Sequence, residues 1–409
     1  MIHTFYGLQK YTISYNKRNF NTSFLIKLPY ICIFKVWFST ITMIIEHISI
    51  LNFKNLEQVD LDFSPEMNCL FGNNGMGKTN LLDALFYLSF CKSYTNLTDS
   101  QLIRHHEDFC VLQGKYLFED NKTEEIYCGI KHKHRKIFKH NKKEYDKLSE
   151  HIGLLPLVMI SPADSDLIYG GSDERRKFVD MVISQYDKSY LNALIKYNKA
   201  LTQRNSLLKS FANQTSDEAL FEIWEEQLVS TGNLIHEKRA VFVSEFLPIF
   251  KEFYQFICDN GETVDLSYQS QLTESDFASS LIKNRERDKL LGYTSAGIHK
   301  DDFNFLLDDY LMRKIGSQGQ NKTYLISLKL AQFNFLVKTG SSTPILLLDD
   351  VFDKLDADRV EQIVKLVTQD QFGQVFVTDT NRKYLDEILA KTNRNYKLFQ
   401  VENGNIVEL

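Results

Sequence analysis

A glycine-rich segment followed by a lysine and a threonine is the clearest chemical feature of the sequence. Its residues are Gly72, Asn73, Asn74, Gly75, Met76, Gly77, Lys78 and Thr79. Glycines let backbone N–H groups curl around phosphate oxygens, because no Cβ blocks the loop. The pattern G-x-x-x-x-G-K-T between a predicted strand and a predicted helix favours a nucleotide-phosphate loop over a chance glycine-rich turn.

The last two residues of this loop have distinct expected roles. Lys78 brings a positive charge to the β- and γ-phosphates of ATP and is a predicted catalytic residue. The Thr79 hydroxyl is a predicted ligand of Mg²⁺. A helix that begins near Thr79 adds the positive end of its dipole. The segment therefore predicts binding of ATP together with Mg²⁺.

A second candidate site is an apolar run, 345–348, that ends in Asp349 and Asp350. Two adjacent acids at a strand end are also common as ordinary turn residues. Combined with the phosphate loop, they favour a catalytic pair. Asp349 is then expected to hold Mg²⁺, directly or through water, and Asp350 to orient or deprotonate the attacking water.

A short polar segment, Ser317, Gln318, Gly319 and Gln320, precedes a predicted helix over 323–335. A serine and a glycine at the start of a helix can present hydroxyl and N–H donors to a phosphate. Taken alone, the segment is better explained as an ordinary helix cap and turn.

The elements around these residues predict an α/β fold. Residues 43–53, 59–63, 68–71 and 154–160 have strand patterns, and 80–90 has helical spacing. The fully apolar runs 345–348 and 375–378 are typical of a sheet covered on both faces. From 174 to about 258, two helical stripes predict a block of core-packed helices, with the character of an antiparallel hairpin, inserted between two halves of one head.

Composition limits the classes of function. The 409 residues are 43% hydrophobic and 25% charged, which is ordinary for a globular protein of about two domains. The formal net charge of −5 excludes nucleic-acid binding by bulk charge, so a DNA contact requires a local basic patch. Six cysteines without a C-x-x-C pair indicate neither a zinc site nor a disulfide framework, so a cytoplasmic location is expected.

The first 42 residues differ from the rest, because they mix aromatic and basic residues without a sustained period. The apolar run 31–38 is short and interrupted by Lys35, which argues against a signal peptide. No apolar run approaches the length of a membrane span, so no membrane association is expected. We expect Met43 to be the natural start and 1–42 to be a non-native or disordered extension.

Three segments occur in an order that resembles the ABC ATPases of the SMC and RecF group. The loop Gly72–Thr79 is similar to Walker A, Ser317–Gln320 to the signature, and 348–356 to Walker B followed by the D-loop. Four further segments resemble the RecF family specifically: Ser161 to Asp164, Arg175 to Asp180, Gln203 to Asn205 with Leu207 and Leu208, and Gly297 to Asp302. Together these segments cover about residues 43 to 409.

The resemblance implies an ABC-type P-loop ATPase head of two lobes, with a short helical arm in place of the long SMC coiled coil. The expected divisions are a head part over 43–170, a helical arm over 171–290 and a second head part over 291–409. Two heads would enclose two ATP molecules. Ser317, Gly319 and Gln320 of one subunit would face the Walker A loop of the other, with Asp356 at the interface.

The resemblance also implies a function. ATP binding would drive homodimerisation on single-stranded or gapped duplex DNA, and slow, DNA-dependent hydrolysis would release the dimer. The family acts in DNA repair, recombination and replication and in the SOS response. It loads recombinase at gapped DNA together with RecO and RecR proteins.

Two departures leave roles open. RecF-like sequences usually read Gly-Pro-His-Arg-Asp-Asp where this chain has Ile298 and Lys300 at the second and fourth positions. Lys300 keeps the charge but loses the planar fork, so a bidentate contact there is open. The strand 375–378 ends in Thr378 and Asp379 rather than a histidine, so the residue that senses the γ-phosphate there is open, and no Q-loop glutamine is assigned.

A basic run could contact DNA phosphates. Between 131 and 143 no acid interrupts a set of lysine, arginine and histidine residues: Lys131, His132, Lys133, His134, Arg135, Lys136, Lys139, His140, Lys142 and Lys143. A β-hairpin over 126–144 that turns near 140–141 would place Lys131, Lys133 and Arg135 on one face. Such a row could meet phosphates, or it could be a lysine-guarded sheet edge.

Two other functions compete with the ATP-gated DNA clamp. A transporter ATPase head should carry a Leu-Ser-Gly-Gly-Gln signature, and Ser317–Gln320 and the RecF-like segments argue against it. A scaffold that binds nucleotide without hydrolysis is disfavoured by the intact Lys78, Asp349 and Asp350.

Overall fold

The computed structural model describes residues 41–118, 120–211, 218–258, 261–340, 342–353, 355–380, 382–391 and 394–409. All of them lie in one of the two units of the chain, Thr40–Leu409. The expected extension over 1–42 lies outside the described residues except at its last two positions, where the first strand begins with Ile41. Within the described ranges, no helix has the length and apolar character needed to cross a membrane.

Groups of strands and helices follow one another along this unit. The strands are β1 Ile41–Phe53, β2 Leu56–Asp62, β3 Met67–Phe71, β4 Phe109–Phe118, β5 Thr123–Lys131, β6 Ile137–His140, β7 Lys143–Glu144, β8 Leu157–Ile160, β9 Val264–Gln269, β10 Asp302–Leu307, β11 Tyr310–Leu311, β12 Ser342–Thr343, β13 Ile345–Asp349, β14 Val375–Asp379, β15 Tyr396–Glu402 and β16 Asn405–Glu408. The helices are α1 Lys78–Phe90, α2 Asp99–Leu102, α3 Asp166–Tyr169, α4 Ser172–Tyr186, α5 Lys188–Phe211, α6 Glu218–Ile257, α7 Phe277–Leu291, α8 Met312–Ile315, α9 Gln318–Thr339, α10 Ala357–Val367 and α11 Arg382–Lys391.

A sheet in the order β16-β15-β3-β14-β13-β8 carries both candidate strand-end sites. Its strands from β15 to β8 are parallel, and β16 pairs antiparallel with β15. Successive side chains of β13 enter two different cores: Leu346 and Leu348 join one, whereas Ile345 and Leu347 join the other. The prediction of a sheet covered on both faces, made from the apolar runs 345–348 and 375–378, is confirmed.

The second sheet has the order β12-β1-β4-β5-β6-β7, with β2 paired to β1. Its apolar face shares a core with α1, the helix that follows the phosphate loop. The strands predicted over 43–53 and 59–63 are confirmed as β1 and β2. Val59 and Leu61 are buried and alternate with exposed Asp60 and Asp62, because only one face of β2 meets the core.

The helical block predicted between 174 and about 258 is present as α4, α5 and α6. Helices α5 and α6 pack against each other, and α6 also packs against α9. The polar separator at 213–218 lies outside the described residues except for its last position. The range 171–290 is not wholly helical, because β9 lies in it and pairs with β10 in a small sheet, β11-β10-β9.

The hairpin predicted over 126–144 is only partly present: the turn near 140–141 is confirmed, but a second turn was not predicted. The chain turns twice, once between β5 and β6 over 132–136 and again between β6 and β7. Asn141 and Lys142 have φ of 49° and 69°, a pair of positive values typical of a tight type I′ connection. Lys133 has φ of 64° and lies in the first turn. Lys131, Lys133 and Arg135 therefore do not form a row on one strand face.

Candidate functional site

The phosphate loop connects β3 to α1 and is shaped by glycines with positive φ. Gly75 has φ of 79° and Gly77, which caps α1, has φ of 122°, and both values favour glycine. Lys78 is buried, and its ammonium donates to the carbonyl oxygens of Gly72 and Asn73 at 2.8 and 3.2 Å. The loop thus folds around its own lysine.

Residues far away in sequence brace this loop. A Cβ on Gly72 would lie 2.2 Å from the carbonyl oxygen of Val401 in β15, so only glycine fits there. The N–H of Gly404, in the turn before β16, donates to the carbonyl oxygen of Met76 at 2.9 Å. From the turn between β1 and β2, the Asn55 side-chain amide donates to the Gly75 carbonyl oxygen at 3.3 Å. The sequence motif indicated none of these partners.

The structure brings Thr79 and Asp349 together. The Thr79 hydroxyl lies 2.9 and 3.0 Å from the two carboxylate oxygens of Asp349, at the ends of α1 and β13. Thr378 of β14 donates to Asp349 Oδ1 at 2.8 Å. Burial raises the pKa of the Asp349 carboxyl to about 6, although the hydrogen bonds from Thr378 and Thr79 lower it.

Asp350 follows directly in a conformation that is rare for a non-glycine residue, with φ of 47°. Its N–H donates to the Thr378 hydroxyl at 3.1 Å. Its Oδ1 atom is buried and has no hydrogen-bond partner among the described residues. Burial raises the pKa of this carboxyl, and the nearby Lys78 charge opposes the rise. An acceptor atom held in this way is poised to receive a proton or a hydrogen bond.

The segment Ser317–Gln320 begins α9 through a capping box. The Ser317 hydroxyl accepts from the N–H of Gln320 at 3.2 Å, and the Gln320 amide oxygen accepts from the N–H of Ser317 at 2.8 Å. The Gln320 amide nitrogen donates to Glu262 at 2.7 Å. In the single chain, these side chains therefore form the helix cap that the sequence allowed as an alternative.

Asp356, the predicted D-loop residue, caps α10. Its carboxylate accepts from the N–H of Arg359 at 2.9 Å and lies 3.3 Å from the Arg359 Nε atom. A Cβ on Gly319 would lie 2.9 Å from an Arg359 guanidinium nitrogen. The D-loop and the signature are thus neighbours within one chain.

Comparison with known proteins agrees with this geometry. The family model described as the RecF/RecN/SMC N terminal domain matches residues 44–407. A protein of Parabacteroides distasonis, named DNA replication and repair protein RecF, is 62% identical over 364 residues, which are 89% of this chain and 99% of the relative. A protein of the same name from Azobacteroides pseudotrichonymphae is 64% identical over 367 residues, covering 90% of this chain and all of the relative. The chain belongs to the RecF family.

Solved structures support the same fold. The structure entitled "recombination mediator protein RecF-ATP in RecFOR pathway" aligns with a TM-score of 0.81 and 30% identity, covering 90% of this chain and 98% of that one. The Smc head domain of Pyrococcus furiosus aligns with a TM-score of 0.55 and 17% identity. The fold is therefore the ABC-type P-loop ATPase head shared by RecF and SMC proteins, as expected from the sequence.

The RecF-like segments form buried ion-pair networks that join separate parts of the chain. Arg175 of α4 makes a bidentate contact with Asp302, at 2.8 and 3.0 Å. Arg239 of α6 contacts Asp180 and Asp301, each at 2.9 Å. Arg175, Asp180, Asp301 and Asp302 come from two of the segments that resemble RecF, whereas Arg239 lies outside them.

The third RecF-like segment has a similar environment. Arg204 of α5 is fully buried and contacts Glu225 at 2.9 Å and Asp288 at 2.7 Å.

Lys300, where RecF-like sequences usually have arginine, is exposed, and its ammonium lies 5.1 Å from the centre of the Tyr293 ring. In the segment Gly297–Asp302, the bidentate contact that the structure shows joins Arg175 to Asp302, and Lys300 takes no part in it.

The basic run between 131 and 143 separates into tied and free side chains. Lys136 is bound inside, with its ammonium 2.6 Å from the Cys91 carbonyl oxygen and 3.2 Å from Asp99. His140 pairs with Glu124. Four lysines are exposed and make no ion pair with the described residues: Lys131, Lys133, Lys142 and Lys143. These four are available to phosphates, and exposed Arg135 donates one hydrogen bond to the Asp146 carbonyl oxygen at 3.1 Å.

Proposed function

We propose that this RecF-family protein is an ATP-dependent DNA-binding protein that acts in DNA repair, recombination and replication. The observation that carries the proposal is the cluster in which Thr79, Asp349, Thr378 and Asp350 meet beside the Walker A loop. Close relatives carry the name DNA replication and repair protein RecF. We place its action in the cytoplasm.

The cluster fits ATP with Mg²⁺. Thr79 and Asp349 offer the hydroxyl and carboxylate oxygens that Mg²⁺ prefers, and Lys78 offers a cation to the phosphates. Mg²⁺, when bound, neutralises charge between the β- and γ-phosphates. The buried, unpartnered Oδ1 atom of Asp350 fits the role of a base that orients or deprotonates water. The N–H groups of residues 72–79 would cradle the phosphates.

ATP hydrolysis in this proposal requires two chains. Ser317, Gly319 and Gln320 at the N-terminus of α9 would contact the nucleotide on the partner subunit, with Asp356 at the same interface. ATP binding would join two heads as a homodimer, and hydrolysis would separate them. The solved relatives are described as recombination mediator proteins in the RecFOR pathway. We therefore propose RecO and RecR proteins as partners in recombinase loading at gapped DNA and in the SOS response.

DNA contact in this proposal is local rather than general, because the net charge is −5. The four free lysines of the β5–β7 region supply a positive surface that would contact phosphates and leave base edges unread. Such a surface suits a protein that recognises the form of the DNA, single-stranded or gapped, rather than its sequence.

ATP turnover with and without gapped duplex DNA tests the proposal. The wild type should hydrolyse ATP slowly and faster with DNA, and Lys78→Met should remove both rates. Lys365→Met, at an exposed lysine of α10, is the matched control and should behave as the wild type. Nucleotide binding without any turnover, with or without DNA, would instead indicate a scaffold that uses ATP as a structural ligand.

A further inference from the structure

The middle of α9 contains a buried lysine whose charge the ATPase proposal does not use. Lys329 is 1% exposed. Its ammonium lies 2.8 Å from Asp164 Oδ1 and donates to the Tyr94 hydroxyl at 3.2 Å. The Tyr94 hydroxyl also donates to Asp164 Oδ1. One carboxylate oxygen is thus shared by Lys329 and Tyr94, and the rings of Tyr94 and Phe178 each lie 5.4 Å from the ammonium.

The three residues join three different elements. Tyr94 follows α1, and its N–H donates to Asp83 of that helix at 2.6 Å. Asp164 lies in the turn after β8, the strand that pairs with β13, and its second oxygen accepts from the N–H of Ser161 at 2.8 Å. Lys329 lies on α9, which begins at the signature. The cluster therefore connects the Walker A helix to the signature helix through buried polar contacts.

A rigid helix can carry this connection to the signature. Lys329 lies eleven residues after Gln318, the first residue of α9. At 1.5 Å per residue, that separation is about 16 Å along the helix. Two turns before Lys329, on the same face, Lys322 donates to the carbonyl oxygens of Asp350, at 3.4 Å, and Asp353. Through Lys329 the signature helix is thus tied to the Walker A helix α1, and through Lys322 it is tied to the residues that follow β13.

Burying this ion pair costs desolvation free energy, so a contribution to stability does not by itself account for it. Well-packed apolar side chains often replace buried ion pairs at no loss of stability, and the best-attested use of such pairs is to fix register or to act as a switch. Here the pair and the shared tyrosine define one position of α9 relative to α1. A displacement of α1 would change the geometry of all three groups, because the packed interior does not deform continuously.

We propose that Lys329 is a positioning residue that couples nucleotide binding at Gly72–Thr79 to the orientation of Ser317–Gln320 in the same chain, through Tyr94 and Asp164. The inference rests on the proposed ATP-dependent function and adds a route from a chain's own nucleotide to the surface that meets the partner. Lys329 does not touch the nucleotide site and acts only through Tyr94 and Asp164.

A neutral version of the cluster separates coupling from folding. The double variant Lys329→Met with Asp164→Asn removes both charges, and the new amide oxygen can still accept from Ser161. The control Lys238→Met also removes a lysine from a carboxylate, 2.8 Å from Asp187, but leaves Lys329, Tyr94 and Asp164 untouched. Hydrogen–deuterium exchange would be measured on dilute protein with and without adenosine 5′-(β,γ-imido)triphosphate and Mg²⁺, in peptides spanning 72–95 and 318–330.

In the wild type and in Lys238→Met, the nucleotide should slow exchange in both peptides. In the double variant, the slowing should persist in 72–95 and disappear in 318–330. Nucleotide-driven dimerisation, followed by light scattering, should weaken about tenfold, which is a typical coupling between two sites.

Three results would overturn the inference: a wild-type response confined to 72–95, a double variant that still responds in 318–330, or a double variant that no longer binds nucleotide. The last result would place Lys329 in the nucleotide site itself. If the wild type responds in both peptides but never dimerises, the proposed clamp fails while the coupling stands.

Discussion

Thr378 holds both acids at the end of β13 with one hydroxyl group. It donates to Asp349 at 2.8 Å and accepts from the N–H of Asp350 at 3.1 Å. The hydroxyl proton is committed to Asp349, so this side chain fixes the carboxylate that also meets Thr79. At this strand end, which has no histidine, the contacts of Thr378 are with the two acids.

Removal of the Thr378 hydroxyl should lower ATP turnover strongly and the free energy of unfolding only slightly. Thr378→Val keeps the shape but loses both hydrogen bonds, which should reduce the free energy of unfolding by about 1–2 kcal/mol. ATP turnover should fall roughly tenfold, because a misplaced acid pair weakens general-base catalysis. Thr378→Ser should restore most of the turnover. Equal turnover in Thr378→Val and the wild type would show that the hydroxyl does not position the acids.

His151 makes the stability of the head depend on pH. Its ring is fully buried between the Leu88 carbonyl oxygen and the Tyr145 hydroxyl, and burial lowers its pKa to about 4. The unfolded histidine titrates near 6.5, so the unfolded state binds more protons between these values. The stabilisation by the neutral ring is present above pH ~6.5 and is lost as pH falls toward 4.

This linkage predicts a loss of about 2 kcal/mol in the free energy of unfolding from pH 7 to pH 5 for His151. Urea denaturation at the two pH values measures it. In His151→Gln the pH-dependent loss should shrink by that amount, whereas His105→Gln should leave it unchanged. The same pH dependence in His151→Gln and the wild type would contradict the assignment.

At the scale of elements, the two turns of the β5–β7 region decide which basic residues are free. One turn ends β5 after Lys131, and the other places Lys142 and Lys143 at the opposite end of β6. The four residues of β6 separate the two ends by about 13 Å at the usual rise per residue. Two small groups of lysines, rather than one row, are thus available to DNA.

Charge reversal at Lys131, Lys133, Lys142 and Lys143 to glutamate should weaken DNA binding and flatten its dependence on salt, because fewer counterions are released. Fluorescence anisotropy with a gapped duplex at several salt concentrations measures both effects. Lys196→Glu with Lys199→Glu, at exposed positions of α5, is the control. An unchanged salt slope in the fourfold variant would assign these lysines to protection of the sheet edge.

Local pattern predicted the strands and helices that carry the site, but not the turn at 132–136 or the residues that brace the loop from elsewhere in the chain. It gave no prediction for several other elements, among them β9, β15 and α10. Apolar runs predicted β3, β13 and β14, and the P-loop motif placed α1, because these signals lie within a few adjacent residues. The turn at 132–136 was not predicted, because the positive φ of Lys133 leaves no pattern in the residue type. The contacts of Asn55 and Gly404 with the phosphate loop were not predicted, because both residues lie outside the loop motif and reach the loop only in the folded chain.

Each chain is proposed to present two different halves of a nucleotide site. The Walker A loop with Asp349 and Asp350 forms one half, and the capped signature Ser317–Gln320 with Asp356 is proposed as the other. Within one chain the signature side chains serve as a helix cap, so their proposed contact with phosphate requires a second chain. The central claim is therefore that ATP joins two chains.

Molecular mass by multi-angle light scattering, with and without ATP and gapped duplex DNA, tests this claim most directly. The wild type and Asp350→Asn should both be monomers without ATP. With ATP and Mg²⁺, Asp350→Asn should accumulate as a dimer that gapped DNA favours, because hydrolysis no longer releases it. A mass that ignores ATP and DNA in both proteins would contradict the account, and the signature would then have no role across a dimer interface.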